Sequence, residues 1–128
     1  PLEHPLTQQT NIPLSALLQE NFVLREAGSG TRAAIERFFA EHGYKLPSTL
    51  EMDSNESIKY SVIAGLGLGI VSLHSVRLEL ETHALTLLDV QGFPLQRYWH
   101  IVTREGKALS PAAQAFKAYV IQEAAHYV

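Results

Sequence analysis

In Phe22-Val23-Leu24-Arg25-Glu26-Ala27-Gly28-Ser29-Gly30-Thr31-Arg32 an apolar run gives way to a polar, glycine-rich turn and then to a helical period. The first three residues form a compact apolar run, as a buried strand requires. The run breaks at Arg25, and residues 25–30 are too polar and too glycine-rich to remain in a sheet. From Thr31 the period changes: Ile35, Phe38 and Phe39 recur at helical spacing, leaving Arg32, Glu36 and Arg37 for other faces. The spacing predicts a helix over 31–42, with Thr31 as a candidate N-cap and Gly43 placed to end it.

The alternation continues downstream. Residues 47–53 read as a second strand, and Ser54-Asn55-Glu56-Ser57 supplies cap candidates for a helix carrying Ile58, Val62, Ile63 and Leu66. Gly65-Leu66-Gly67-Leu68-Gly69 closes that helix and leads into Ile70-Val71-Ser72-Leu73, a β-branched run expected to be the third strand. Strands and helices alternating at crossover length predict an α/β fold: a mostly parallel central sheet, right-handed crossovers and helices on both faces. Upstream, Pro13 suits the first turn of a short helix over 14–19. Further on, the pattern predicts a helix or turn over 75–81 and strands over 85–90 and 98–103, on either side of Gly92-Phe93-Pro94. A last helix, opened by Ser110-Pro111, carries an apolar stripe of Ala113, Phe116, Val120, Ala124 and Tyr127.

Bulk properties bound the function. A chain of 128 residues, 46% hydrophobic, suits one compact domain. A formal charge of −3 gives no electrostatic reason for this piece to bind nucleic acid or an anionic membrane. There is no cysteine, hence no disulfide framework and no thiolate chemistry, which fits a reducing compartment. The start, Pro1-Leu2-Glu3-His4-Pro5-Leu6, lacks both regions of a secretory signal and reads as a cut fragment. The longest apolar candidate, 62–73, is too short for a membrane span and is interrupted by glycines.

Enzyme signatures are absent from the pattern. No two of His4, His42, His74, His83, His100 and His126 stand at the i, i+4 spacing of a helical metal pair, so no metal or cofactor is expected. Ser29 is flanked two positions away by Ala27 and Thr31, where a nucleophile elbow needs glycines. The Gly65, Gly67, Gly69 series follows a helix and precedes a strand, the reverse of a dinucleotide-binding turn, and reads as close backbone packing. The aromatic set Phe93, Tyr98 and Trp99 beside Arg97 reads as core more readily than as a stacking platform.

Gly28-Ser29-Gly30-Thr31-Arg32 is the segment with functional content, because it joins the carboxyl end of a strand to the start of a helix. Ligands in open α/β sheets collect there, and helix N-termini favour anions. Ser29 and Thr31 offer hydroxyls, Gly30 lets backbone donors come close, and Arg25 or Arg32 can grip a carboxylate or phosphate in two-pronged fashion. A second reading stands beside this one: Ser29 and Thr31 only cap the helix, while Arg25 and Arg32 are solvated or paired with Glu26 and Glu36. The turn Asp53-Ser54-Asn55-Glu56 lies on the same expected rim, where Asn55 and Glu56 are weaker candidates. Glu26 and Glu56 repel phosphate unless turned away or paired.

The run 24–32, followed by Phe38-Phe39 and Gly43, resembles the second effector lobe of LysR-type transcription regulators. Ser54-Asn55-Glu56 leading to Val62, the glycine series and Ser72 is similar to that family's next helix and strand. His4-Pro5-Leu6 is similar to the start of the lobe, and Leu109-Ser110-Pro111-Ala112-Ala113 with Phe116 to its closing helix, so nearly the whole chain is covered. Gly92-Phe93-Pro94-Leu95, Arg97, Trp99 and Gly106-Lys107 add a resemblance to the subgroup regulating carbon-fixation operons. The resemblance implies a three-layer, Rossmann-like lobe of the type II periplasmic-binding-protein fold. It divides the chain into 1–104, the lobe with its hinge strands, and 105–128, a return segment and helix. It further implies a non-enzymatic cytoplasmic sensor that binds a small anionic metabolite in an inter-lobe cleft through Arg25, Ser29, Gly30, Thr31, Arg32, Asn55 and Glu56. In the parent, a homodimer or homotetramer, DNA is bound only through an N-terminal domain absent here. Arg32's place at the turn predicts that its removal weakens the response and spares folding. The alternative is one lobe of a periplasmic solute-binding protein, which shares the architecture.

Overall fold

In the computed structural model, which describes residues 1–47, 49–98 and 100–124, the apolar run that opens the stretch 22–32 becomes β1 (Phe22–Arg25). It is the middle strand of a three-stranded parallel sheet, flanked by β2 (Thr49–Met52) and β3 (Leu68–Gly69). Successive strand residues face opposite ways. Phe22 and Leu24 join a core cluster with Ile35 and Phe39 of α1 (Gly30–Glu41), whereas Val23 joins a second cluster with Ile58 and Val62 of α2 (Asn55–Ile63). The sheet is therefore sandwiched between α1 and α2, as a parallel sheet with crossover helices demands.

The i, i+4 pairs Ile35/Phe39 and Ile58/Val62 place two apolar knobs from each helix against the middle strand. Phe22 and Phe39 meet edge to face, with centroids 6.2 Å apart. Each such buried side chain contributes roughly 1.5–3 kcal/mol relative to exposure. The N-terminal arm adds Leu6, Ile12, Leu14 and Leu17 to the α1-side cluster, partly from two 3-10 turns, Pro5–Gln8 and Leu14–Gln19.

The third strand begins earlier and is shorter than the 70–73 run suggests. At Gly67 an added Cβ would lie 2.5 Å from the Asn21 carbonyl oxygen, and Leu68 N donates to that same oxygen at 2.8 Å. Pairing with β1 thus starts inside the glycine series, and only Leu68 and Gly69 share the ladder. Ile70 and Val71 leave it to pack partly buried against opposite clusters.

The strands expected at 85–90 and 98–103 do not form among the described residues. Leu85 packs into the α2-side cluster while Leu88 and Val90 pack with the α1-side one, so the segment passes between clusters instead of along the ladder. Its one sheet-like contact is a parallel bridge between Ile12 and Val90, with Ile12 N donating to Asp89 O at 2.7 Å and Gln91 N to Ile12 O at 2.9 Å. Phe93 packs on Phe38 at 5.1 Å between centroids, a core contact, whereas Tyr98 is 82% exposed; Trp99 lies outside the described residues.

The segment expected as a helix or turn at 75–81 forms a 3-10 turn, Leu73–Val76, and a short helix, α3 (Arg77–Glu81), with no buried residue in the helix. The chain falls into two compact units, Pro1–Phe93 and Pro94–Val128. The second is built on α4 (Pro111–Glu123), whose start is capped by Ser110 Oγ accepting from Ala113 N at 3.2 Å. The expected apolar stripe is on this helix, but nothing within α4 is buried and Phe116 is 69% exposed; Tyr127 lies outside the described residues. No described helix is long and apolar enough to cross a membrane.

Candidate functional site at the carboxyl ends of β1 and β2

Parallel pairing of Arg25 with Met52 brings the two strand-to-helix turns to one rim of the sheet. The pairing extends one step further, because Glu26 N donates to Met52 O at 3.0 Å. The first turn then tightens as Ser29 N donates to Glu26 O at 3.2 Å, with Gly28 at φ +94°, a conformation that favours glycine. Arg25, Ser29, Gly30 and Thr31 are gathered by this geometry, with Asn55 and Glu56 on the neighbouring turn.

The two helix starts differ. At α2, Ser54 Oγ accepts from Ser57 N at 3.1 Å and is within 2.8 Å of Ser57 Oγ, so the helix is closed by its own cap. At α1 the N-cap is Ser29, not Thr31, since Gly30 is already helical; the Ser29 hydroxyl makes no capping bond. A helix start that its own cap side chain leaves alone keeps the positive end of its dipole for another anion.

Both arginines are paired in the structure. Arg25 grips Glu26 fork to fork, Nε to Oε2 at 2.7 Å and Nη2 to Oε1 at 2.9 Å, and this bond holds the Glu26 carboxyl below its usual range. Arg32 donates to Glu36 Oε1 at 2.7 Å, to the Arg25 carbonyl at 3.3 Å and to Thr49 Oγ1 at 3.3 Å, with Glu51 at 3.9 Å. Its side chain is only 11% exposed. Arg32 is thus a tie between the first turn of α1 and strands β1 and β2.

Glu56 is also neutralised, by Lys59 Nζ at 2.7 Å. Lys59 is itself buried and bonded to Glu79 Oε1 of α3 at 2.8 Å; the bonds to Glu56 and Glu79 raise the lysine pKa, and Lys59 lowers that of Glu79. The second Glu79 oxygen is buried with no partner among the described residues. Both glutamates expected to repel an anion are therefore paired. No sequence motif singles out Thr49, Glu51, Lys59 or Glu79; of their contacts only the Glu56–Lys59 spacing of i, i+3 is readable in the chain. Among the described residues no group of three His, Cys, Asp or Glu side chains is arranged to hold a metal.

Residues 1–125 match the family described as the LysR substrate binding domain. The chain belongs to this family. This LysR substrate-binding domain is 53% identical over 125 residues to the RuBisCO operon transcriptional regulator of Allochromatium vinosum, spanning 98% of the chain and 41% of that relative. It is 47% identical over 124 residues to the protein of the same name from Acidithiobacillus ferrooxidans, spanning 97% and 40%. Among solved structures it superposes on the CcmR regulatory domain of Synechocystis PCC6803, determined in complex with 2-PG, at a TM-score of 0.86 and 39% identity, covering 94% of the chain and 58% of that domain. The α/β class, the type II periplasmic-binding-like lobe and the carbon-fixation subgroup all agree with these likenesses. The alternative of a periplasmic solute-binding lobe is set aside, because these relatives are transcription regulators. The chain spans about two fifths of the length of its first curated relatives, 41% and 40%.

Proposed function

We propose that this chain is the effector-sensing part of a longer LysR-type regulator of the carbon-fixation group, and not an enzyme. Residues 1–104 are assigned to the second lobe with its hinge segments and 105–128 to the return segment and closing helix. The effector, a small anionic metabolite, sits in a cleft between this lobe and another. This lobe's side of the site is the β1–α1 turn: Arg25, Ser29, Gly30 and Thr31, with Asn55 and Glu56 at its margin and Arg32 holding the turn in place.

The observation that carries this reading is the start of α1, whose cap hydroxyl makes no capping bond, on the rim that also bears the partly exposed Arg25 at the end of β1. The similar Synechocystis domain bound to 2-PG supports an anionic ligand class. Effector binding favours one lobe arrangement over another and so alters DNA binding by a separate N-terminal domain in a cytoplasmic homodimer or homotetramer.

Thermal unfolding of the full-length protein tests the site. At a hundredfold excess over its Kd, 2-PG should add about 2.7 kcal/mol and raise Tm by a few degrees, while a neutral sugar leaves it unchanged. Equal shifts with neutral and anionic compounds would contradict an anion site.

A further inference from the structure

The two arginines of the rim are engaged in different ways. Arg32 distributes its guanidinium over Glu36, a main-chain carbonyl and Thr49, and is almost fully covered. A ligand would have to replace all of those partners together to engage Arg32. Arg25 hydrogen-bonds one carboxylate, that of its neighbour in sequence, in the two-pronged geometry that a carboxylate or phosphate of a metabolite would adopt, while Asp53 of the neighbouring turn acts on it through charge alone. Side-chain exposures of 27% for Arg25 and 43% for Glu26 leave the pair open to solvent, and such pairs are weak.

We propose that Glu26 is a built-in competitor for the effector: its carboxylate occupies the Arg25 guanidinium, and binding begins by exchanging this internal anion for the ligand's. The proposal rests on the effector site lying at this rim. The backbone of Glu26 is fixed at both ends, its N–H to Met52 O and its carbonyl to Ser29 N. Rotation of the side chain alone releases Arg25, and the turn that presents Ser29 and Gly30 need not move. The neighbouring glutamate, Glu56, has no comparable role, because its lysine is buried and shared with Glu79.

Selectivity depends on this exchange. Neutral compounds offer the guanidinium no charge in exchange for the carboxylate. A monoanion replaces like with like and gains little, whereas a ligand bearing more than one negative charge out-competes Glu26 at Arg25 and uses the dipole of α1 as well. Glu26 thus sets a threshold of ligand charge.

Titration calorimetry of the full-length protein with 2-PG, comparing wild type, Glu26→Gln, Arg25→Met and the double variant, decides the matter. The competitor role predicts that Glu26→Gln binds 2-PG about three- to fivefold more tightly, that Arg25→Met binds more weakly, and that the double variant binds like Arg25→Met alone. If Glu26 merely orients Arg25, Glu26→Gln binds with unchanged or lower affinity while wild type still binds, and the proposal is wrong although the site stands. A folded wild type that binds neither 2-PG nor inorganic phosphate withdraws the site reading, and the proposal with it.

Discussion

Arg32 shows how a residue type at the right position is redirected by its surroundings. From the sequence it belongs to an anion-binding turn, and its loss is expected to spare folding. In the fold its guanidinium points back onto β1 and β2, donating to the Arg25 carbonyl and to Thr49 Oγ1, seventeen positions away in sequence. Thr49 reaches it only because β2 pairs with β1, which no local pattern reveals. Arg32→Met should therefore lower stability by about 1–3 kcal/mol in urea unfolding, through carbonyl and hydroxyl partners left without a donor. A variant as stable as wild type but deaf to effector would return Arg32 to the ligand's side. The turn that carries Arg25, Ser29, Gly30 and Thr31, by contrast, is legible in the sequence, because the glycines, the hydroxyls and the change of period mark one strand-to-helix connection.

At the scale of elements, β1, α1 and α2 follow from periodicity, since Phe22, Val23 and Leu24 are all buried and the i, i+4 pairs Ile35/Phe39 and Ile58/Val62 face the sheet. Periodicity misreads the segments whose apolar residues serve different clusters: Ile70 and Val71 diverge after two paired residues, and Leu85 and Val90 anchor to opposite sides. Helix α3 is readable only as a helix or turn, because it buries no residue; its side-chain tie to α2 is the ion pair between Glu79 and the buried Lys59. Glu79 has a lowered pKa in the fold, so its contribution is present above its unfolded-state pKa and is lost as pH falls through the lowered folded-state value. Hydrogen exchange should show protection over 77–85 failing on acidification while β1 stays protected. Glu79→Gln at neutral pH should speed exchange there by at least about tenfold relative to wild type at the same pH. Unchanged protection in that variant would show that α3 is held by something other than the pair.

For the whole molecule, the chain covers 41% of its relative from Allochromatium vinosum. On the proposed reading, the rim with its paired charges and one helix start left alone by its cap side chain would be half of a binding site, and half a cleft leaves a ligand exposed on one side. Signal output then depends on the ligand preferring one arrangement of the complete receptor, since equal affinity for two states shifts neither. The most direct measurement is a gel shift of the full-length protein on the DNA upstream of its own gene, with and without 2-PG and a panel of sugar phosphates, carboxylates and neutral sugars. A specific complex is expected, its affinity or mobility changing with an anionic metabolite and indifferent to neutral ones. A folded protein that forms no specific complex at any salt concentration, or one whose complex ignores every anion that it binds, would contradict the proposed function.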